Sequence, residues 1–345
     1  MQNEVNIPNN MLCCPLERFD KLFFSLVDYY NTFFMSNDPE KIIEFYNHFK
    51  TRDELIKWMK ERPKGANYIY EVEGNKDIIV VIPTADFNGR YAKTCRDEIF
   101  KGLHIIFVVS GKGNYYFNYA HNCNVGIKKA LEYNPKWIIV SNDDMYKIDD
   151  VNVLVTQVNK IDNKEYGSVL FNPPNYYHNR LEYLMKVKWY LFKLMKIVKY
   201  IGYRNKKFGE YQIPLNLIKF LSDSKFIFYL PDGYDKKPSL KYKIFLKIFW
   251  TKILEYRDFV SIGCFSKNMI SDIINKDGYF FDEAFINGGE DNELSMRIRK
   301  YGYKYNFINY KIKPEIGDTL GHDFLRELRT MLSNDIYFSY KLNDS

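Results

Sequence analysis

The 345-residue sequence has few cysteines: five in all, with no Cys-x-x-Cys pair. An odd number without paired spacing excludes a disulfide framework and a typical zinc site, so we expect reduced thiols. The sequence also lacks any apolar run of about 18 residues, and its first residues are polar, without a basic stretch followed by an apolar one. We therefore predict a cytoplasmic protein with no spanning helix and no signal peptide.

Internal repeats and low-complexity tracts are also missing, and the formal net charge is only +7. A mild positive charge suits anionic ligands such as nucleotide diphosphates, or an anionic membrane surface, but is too small to indicate nucleic acid. Aromatic residues are unusually frequent, with 30 Tyr and 27 Phe. Their frequency is typical of a compositional bias in the genome and also compatible with a surface that faces sugars or lipids.

The first 66 residues are predicted to form a helical appendage. Asp38 can cap a helix that has Pro39 near its first position, and Thr51 with Glu54 makes a capping box for a further helix. We expect these helices to pack on the rest of the protein without taking part in its chemistry.

From about residue 68 the pattern changes to alternating strands and helices. Continuous apolar strands are predicted at 78–82, 104–109 and 137–140, with helices at 88–101 and 117–133 between them. Short connections of this kind indicate right-handed crossovers and a parallel sheet covered on both faces. Ligands of such sheets bind at the carboxyl ends of the strands. The polar residues there form a candidate rim, which comprises Thr84, Asp86, Ser110 and Asn142 to Asp144.

Residues 178–257 interrupt this pattern, and we interpret them as a helical insertion in a domain of residues 67–330, followed by a tail at 331–345. Residues 183–203 place lysines on one helical face and apolar and aromatic residues on the other, and residues 240–256 are basic and apolar with less separation. Such a face is typical of a helix at a membrane surface. A lid, a dimer contact or packing on the core fits the same residues.

The acidic turn Asn142-Asp143-Asp144 follows the third buried strand. Two adjacent carboxylates repel each other at the end of a dry strand, and a divalent cation removes that cost. Mg²⁺ and Mn²⁺ typically take one or two protein carboxylates and complete their shell with water and substrate phosphates. The turn therefore predicts a metal site, although a solvated turn or a helix cap fits the same residues equally well.

A second acidic segment lies downstream, where Gly288-Gly289 leads into a predicted helix. Glu290, Asp291 and Glu293 fall in its first turn, where the helix dipole favours anions. A carboxylate held there stays ionised and can act as a general base on a hydroxyl group. A well-capped amphipathic helix satisfies the same residues.

Four short motifs occur in a fixed order along the chain. They are Val-Ile-Pro-Thr at 81–84, Asn-Val-Gly at 124–126, Asn-Asp-Asp at 142–144 and Gly-Gly-Glu-Asp-x-Glu-Leu-x-x-Arg at 288–297. In this order, and on these elements, they resemble the large family 2 of GT-A glycosyltransferases, over roughly residues 76–325 apart from the insertion. The resemblance implies an α/β, Rossmann-like GT-A fold with a mostly parallel sheet. It also implies a metal-dependent, inverting hexosyltransferase that uses a nucleotide diphosphate sugar such as a UDP-sugar.

The resemblance also implies roles for single residues. Pro83, Thr84 and Asp86 would lie against the nucleotide base and ribose, and the donor site would further include Ser110, Asn124, Asn142 and Asp143. Asp144 would be the principal ligand of Mn²⁺ or Mg²⁺, and His322 could complete the metal shell. Asp291 would be the general base that deprotonates the acceptor hydroxyl, with Glu290 beside it.

Two departures from the family pattern leave other functions open. Asn142 replaces the first acid of the family's Asp-x-Asp motif, which weakens metal binding or changes its geometry, and Ser110 stands where an acidic pair is usual. A degenerate GT-A fold that binds carbohydrate or membrane without turnover is therefore the main alternative. A sugar-1-phosphate nucleotidyltransferase is disfavoured, because residues 85–90 make a poor Gly-rich phosphate loop. As partners we expect the nucleotide-sugar donor, a glycan, lipid-linked or protein acceptor, the inner membrane face by peripheral contact, and no nucleic acid.

Overall fold

The computed structural model describes residues 33–172, 177–185, 215–222, 226–228, 250–259, 261–314 and 324–342. Its helices, besides the helical residues 33–35, are α1 (Pro39–Asn47), α2 (Arg52–Glu61), α3 (Arg90–Thr94), α4 (Tyr119–Leu131), α5 (Val151–Val158), α6 (Leu215–Ser222), α7 (Lys267–Asp277), α8 (Glu290–Lys300) and α9 (Phe324–Lys341). A π-helical turn, Cys95–Ile99, directly follows α3. The strands are β1 (Tyr68–Val72), β2 (Asn75–Thr84), β3 (Leu103–Val109), β4 (Trp137–Ser141), β5 (Met145–Lys147), β6 (Tyr166–Asn172), β7 (Tyr177–Met185), β8 (Phe226–Phe228), β9 (Trp250–Phe259), β10 (Ile262–Ser266), β11 (Lys304–Asn309) and β12 (Ile312–Pro314).

The first two helices begin where the capping residues predict. The Asp38 side chain accepts a hydrogen bond from the Glu40 amide at 2.9 Å, with Pro39 at the start of α1. The Thr51 hydroxyl accepts one from the Glu54 amide at 3.2 Å at the start of α2. Each cap satisfies a backbone donor that the first turn of a helix leaves without an intrahelical partner, which fixes where the helix begins.

The central sheet has seven strands in the order β1-β3-β2-β4-β10-β6-β11. The predicted parallel arrangement of β3, β2 and β4 is confirmed, and β6 and β11 run in the same direction as these three. Strand β10 lies antiparallel between β4 and β6, and β1 lies antiparallel to β3 at the edge. The protein is therefore an α/β protein with a mixed sheet, in which five of the seven strands share one direction.

Both faces of the sheet are covered, as the continuous apolar strands predict. Along β2, Ile78, Val80 and Ile82 belong to one buried cluster and Ile79 and Val81 to the other. Helix α4 packs on the second face so closely that a Cβ on Gly126 would lie 2.3 Å from the Val81 side chain. Only glycine fits there, so the close approach of α4 to the strands depends on it.

The insertion differs from its prediction. Residues 183–185 end the strand β7, and residues 250–256 belong to the strand β9, where basic amphipathic helices were expected. These two strands pair antiparallel from Tyr177↔Phe259 to Met185↔Trp250, and β8 joins them in a three-stranded sheet. Aromatic and aliphatic residues favour strands as well as helix faces, and pairing with a distant segment decides between the two. The rest of both segments lies outside the described residues, and within the described part no helix is long and apolar enough to cross a bilayer.

The predicted tail from residue 331 is instead part of α9, which extends to Lys341 and buries much of one face. Its contacts include the helical appendage, where the Tyr46 hydroxyl donates to the Arg329 carbonyl at 2.8 Å. Helix α9 also packs on the loop before α8, which comprises residues 278–289. The rings of Phe285 in this loop and Tyr337 in α9 lie 5.0 Å apart. The boundary at 330 was wrong because the partners that bury α9 lie far away along the chain.

One carboxyl group on α9 predicts a dependence of stability on pH. Burial raises the pKa of Asp335 to about 7. In the unfolded chain the group titrates near pH 4, so the folded state binds more protons between these values and stability falls as pH rises from about 4 to 7. We expect Asp335→Asn to raise the free energy of unfolding by about 1–2 kcal/mol at pH 8 and to have little effect at pH 4. The gain is smaller than the full pKa shift implies because water reaches part of this half-buried residue and screens its charge.

Urea unfolding of both proteins at the two pH values measures this effect. The control is Asp53→Asn, which removes an exposed carboxylate from α2. Equal stability of Asp335→Asn and the natural protein at pH 8 would contradict the assignment.

Candidate functional site

The carboxyl ends of β2, β3 and β4 lie side by side and bring the predicted rim together. The Thr84 hydroxyl donates to Asp143 Oδ2 at 2.6 Å, which joins the end of β2 to the turn after β4. The Ser110 amide donates to the Thr84 carbonyl at 3.0 Å, which joins β3 to β2. Pro83 is buried within β2 and faces Val108 of β3 in the ladder.

The acidic turn is held on several sides. Asp143 and Asp144 are each only 6% exposed, so two adjacent carboxylates lie at the edge of the protein interior. The Asn142 amide donates to the Ser261 carbonyl at 2.8 Å, and the Cys95 thiol donates to the Asp143 carbonyl at 3.3 Å. Carboxylate oxygens are hard ligands of the kind that Mg²⁺ and Mn²⁺ prefer, so the chemistry of the turn fits such an ion.

The π-helical turn places Cys95 under the acidic turn. An α-helix was predicted for this whole region, and the wider turn is the difference. Burial raises the pKa of the Cys95 thiol well above its usual value, and Asp143 and Asp144 raise it further. The raised pKa favours the protonated thiol, which is the form that donates this hydrogen bond.

Asp86 lies next along the rim and forms an ion pair with Lys112, in the loop after β3. Lys112 Nζ is 2.8 Å from Asp86 Oδ2, and this hydrogen bond, with that from the Asn88 amide, holds the pKa of Asp86 below its usual value. Lys112 stands between Gly111 and Gly113, whose φ angles are +80° and +70°. The left-handed backbone on both sides of Lys112 requires glycine and positions the loop beside Asp86.

The second acidic segment forms the start of α8 as predicted. Glu290 and Asp291 occupy its first turn, after Gly289 with a φ of +90°. Glu290 is 6% exposed, Asp291 is half-buried, and Asp291 Oδ1 accepts a hydrogen bond from the Asn292 amide at 2.8 Å. The apolar face with Leu294 packs into the core, which fixes the direction of the helix.

Both acidic segments lie at the same edge of the sheet. Helix α4 starts from the carboxyl end of β3, and its Tyr119 amide donates to Asn287 Oδ1 at 2.9 Å in the loop before α8. Asn287 Nδ2 in turn donates to the Phe117 carbonyl at 3.0 Å. Burial raises the pKa of the Tyr119 hydroxyl well above its usual value, and Cys123 and Glu290 raise it further.

Glu293 differs in role from the other two acids of its turn. It contacts Arg297 Nε at 2.9 Å and Lys341 Nζ at 2.6 Å. Lys341 also contacts Asp282 at 2.6 Å, and Arg297 contacts Asp277 at 3.0 Å. This buried ionic network, defined as Asp277, Asp282, Glu293, Arg297 and Lys341, joins α8 to the end of α9 and is structural.

Sequence reasoning missed the residues that hold the loop before α8. The Arg62 guanidinium, 4% exposed, donates to the carbonyls of Glu283, Ala284 and Phe285 at 2.7–3.2 Å. Asn334 of α9 bonds with the backbone of Ile286 and Gly288. No local pattern marks either residue, because their partners lie more than two hundred and about fifty positions away.

The nucleotide, metal and proton-transfer roles of all the predicted site residues stay predictions, and two of these residues are still to be placed. Asn124 Nδ2 donates to the Phe281 carbonyl at 2.8 Å and to Glu283 Oε1 at 2.9 Å. The Asn124 side chain therefore joins α4 to the loop before α8. His322 lies outside the described residues. Among the residues that are described, no group of three or more His, Cys, Asp or Glu side chains is arranged to hold a metal ion.

Comparison of the chain with protein-family models and with curated proteins gave no match.

Proposed function

We propose that this protein is an inverting glycosyltransferase of the GT-A type, which transfers a sugar from a nucleotide diphosphate sugar to an acceptor hydroxyl. The observation that carries the proposal is the contact of Thr84 with Asp143 at 2.6 Å, beside the buried Asp144. Polar groups of the first and third predicted strands meet there, at the sheet edge where ligands of α/β proteins bind. The order of the four sequence motifs supports the same function.

The residues present fit a divalent cation held chiefly by the substrate. Asp144 would bind Mg²⁺ or Mn²⁺, with Asp143 beside it, and phosphate oxygens of the donor and water would complete the shell. When bound, such an ion neutralises the charge that develops on the leaving diphosphate. One or two protein carboxylates suffice for a site of this kind, with or without His322.

The residues of the chain have separate tasks in this proposal. Thr84 fixes the Asp143 carboxylate by its hydrogen bond, and Lys112 orients the neighbouring Asp86 carboxylate for contact with the base or ribose. Asp291, at the start of α8, accepts the proton of the acceptor hydroxyl as that oxygen attacks the anomeric carbon. The helix dipole favours the ionised form that a base requires.

A binding module without turnover is the second candidate. Asn142 and Ser110 favour it, since both stand where carboxylates are expected for an active transferase. In that case Asp144 and Asp291 would be dispensable for ligand affinity. The nature of the acceptor, and contact with a membrane through the insertion, stay predictions.

The first test is the melting temperature of the protein with UDP, GDP, CDP, ADP or dTDP, each with and without Mn²⁺. A ligand that binds only the native state raises the melting temperature. At a concentration one hundred times its dissociation constant it adds about 2.7 kcal/mol to the free energy of unfolding. We expect one nucleotide to act, only with Mn²⁺, and to have no effect on Asp144→Ala.

The control is Asp162→Ala, which removes an exposed carboxylate just before β6, at the opposite edge of the sheet. It should respond to the nucleotide like the natural protein. No shift with any nucleotide would contradict the transferase and favour the binding module.

A further inference from the structure

We propose that Asn334, in α9, is a positioning residue that places the candidate base Asp291 by fixing the loop Ile286–Gly289. The inference rests on the proposed function for the role of Asp291. It assigns a part in the reaction to α9, a helix that crosses the predicted boundary between the domain and the C-terminal tail.

The side-chain amide of Asn334 is committed to this loop. Asn334 Oδ1 accepts a hydrogen bond from the Ile286 amide at 2.9 Å. Its Nδ2 donates to the Ile286 carbonyl at 3.1 Å and to the Gly288 carbonyl at 2.7 Å. One acceptor and both donors are thus used, and Asn334 is only 7% exposed, so loss of the side chain leaves buried backbone groups unpaired.

The loop itself has an unusual backbone that needs such support. Asn287 has a φ of +46° and Gly289 a φ of +90°, both in the left-handed region. Asn334 bonds with the residues on each side of Asn287, and Asn287 bonds with the start of α4. Non-glycine residues in this region persist only where neighbours fix them.

Gly289 passes the position of the loop on to α8. It directly precedes Glu290, so its backbone sets the direction of the first helical turn. A Cβ at Gly289 would lie 3.3 Å from the Phe285 ring, which is fully buried against Tyr337. Phe285 therefore packs between Gly289 and Tyr337 and links the loop to α9.

Helix α9 is attached to the rest of the protein on both sides of Asn334. Lys341 joins its last turn to Asp282 and Glu293, and the Tyr46 hydroxyl bonds with its first turns. Asn334 lies between these two attachments. Since catalysis depends on the position of the base within about 1 Å, loss of the Asn334 bonds should affect turnover more than substrate binding.

The test uses the full chain with Asn334→Ala, Asn334→Asp and the control Ser333→Ala. Ser333 is buried on the same helix and donates to the Arg329 and Thr330 carbonyls within α9. We expect both Asn334 variants to lower kcat by about 10- to 100-fold with the KM for the donor within about twofold, and Ser333→Ala to change neither. In Asn334→Asp the new carboxylate should also move the acid limb of the kcat–pH profile upward by about half a pH unit.

Amide hydrogen exchange supplies a readout that does not depend on turnover. Exchange in residues 286–292 should become at least about tenfold faster in Asn334→Ala than in Ser333→Ala at equal pH and temperature. Unchanged exchange there would overturn the positioning role whether or not the protein is a transferase. Faster exchange with an unchanged kcat would also overturn it, whereas a natural protein that lacks turnover and nucleotide binding contradicts the proposed function instead.

Discussion

Replacing Asp291 with Asn is expected to lower turnover by about 10²- to 10⁴-fold while the affinity for the donor nucleotide stays within about twofold. Asn has nearly the same shape as Asp and can still accept the hydrogen bond of the Asn292 amide, so the start of α8 should keep its structure. The amide cannot take the proton of an acceptor hydroxyl, however. Loss of kcat without loss of binding would therefore isolate the chemical role of the carboxylate.

The measurement is kcat and KM for transfer, together with nucleotide affinity by calorimetry, for Asp291→Asn and for Glu290→Gln. Glu290 is the stricter comparison because it is the adjacent acid and is more buried. If Glu290→Gln abolishes turnover and Asp291→Asn retains it, Glu290 is the base and the assignment here is wrong. Full activity in both variants would remove α8 from the mechanism.

Replacing Lys341 with Met is expected to lower the free energy of unfolding by about 3 kcal/mol at neutral pH. Its ammonium group lies 2.6 Å from both Asp282 and Glu293 and 2.7 Å from the Tyr279 hydroxyl. Both acids are nearly fully buried, so the variant leaves a buried charge at Asp282 without its cation, while Arg297 still pairs with Glu293. We take the lower end of the usual range for a broken buried pair because Arg297 remains.

Urea unfolding of Lys341→Met and of Lys300→Met measures this loss, since Lys300 is exposed at the end of α8. The two proteins should also respond differently to acid. Burial raises the pKa of Asp282, but the charge and hydrogen bond of Lys341, together with hydrogen bonds from the Ala284 amide and the Tyr337 hydroxyl, bring it below its usual value. The stability from the pair is thus present above about pH 4 and is lost as pH falls through the lowered pKa, so the natural protein should show this acid loss and Lys341→Met should show less of it. Equal stability of the two variants would contradict the structural role.

Local patterns predicted the elements whose reasons are local. The caps Asp38 and Thr51, the strands β2 to β4 and the start of α8 are set by neighbours in sequence, and all lie where predicted. The rule on strand ends also brought Thr84 and Asp143 to one edge before any contact was known.

Features that depend on distant partners escaped prediction. Strands β7 and β9 are separated by more than sixty residues, and only their pairing decides that residues 250–256 are extended. Glu293 shares the first turn of α8 with Asp291, and nothing near it in sequence indicates that Lys341 binds it. Arg62 ends α2 and is buried against residues 283–285, and nothing near it in sequence indicates these partners.

The double attachment of the loop before α8 has a consequence for the order in which the site forms during synthesis. Arg62 leaves the ribosome more than two hundred residues before the carbonyl groups that it binds, and Asn334 and Lys341 leave it only after the whole of α8. A nascent chain that ends before α9 already contains the acidic turn, the candidate base and Arg62, but it lacks Asn334 and Lys341, which complete the attachment of the loop before α8. The site is therefore complete only late in synthesis, once about 340 residues have been made. Until then the carboxylates at the sheet edge are present without the support of α9.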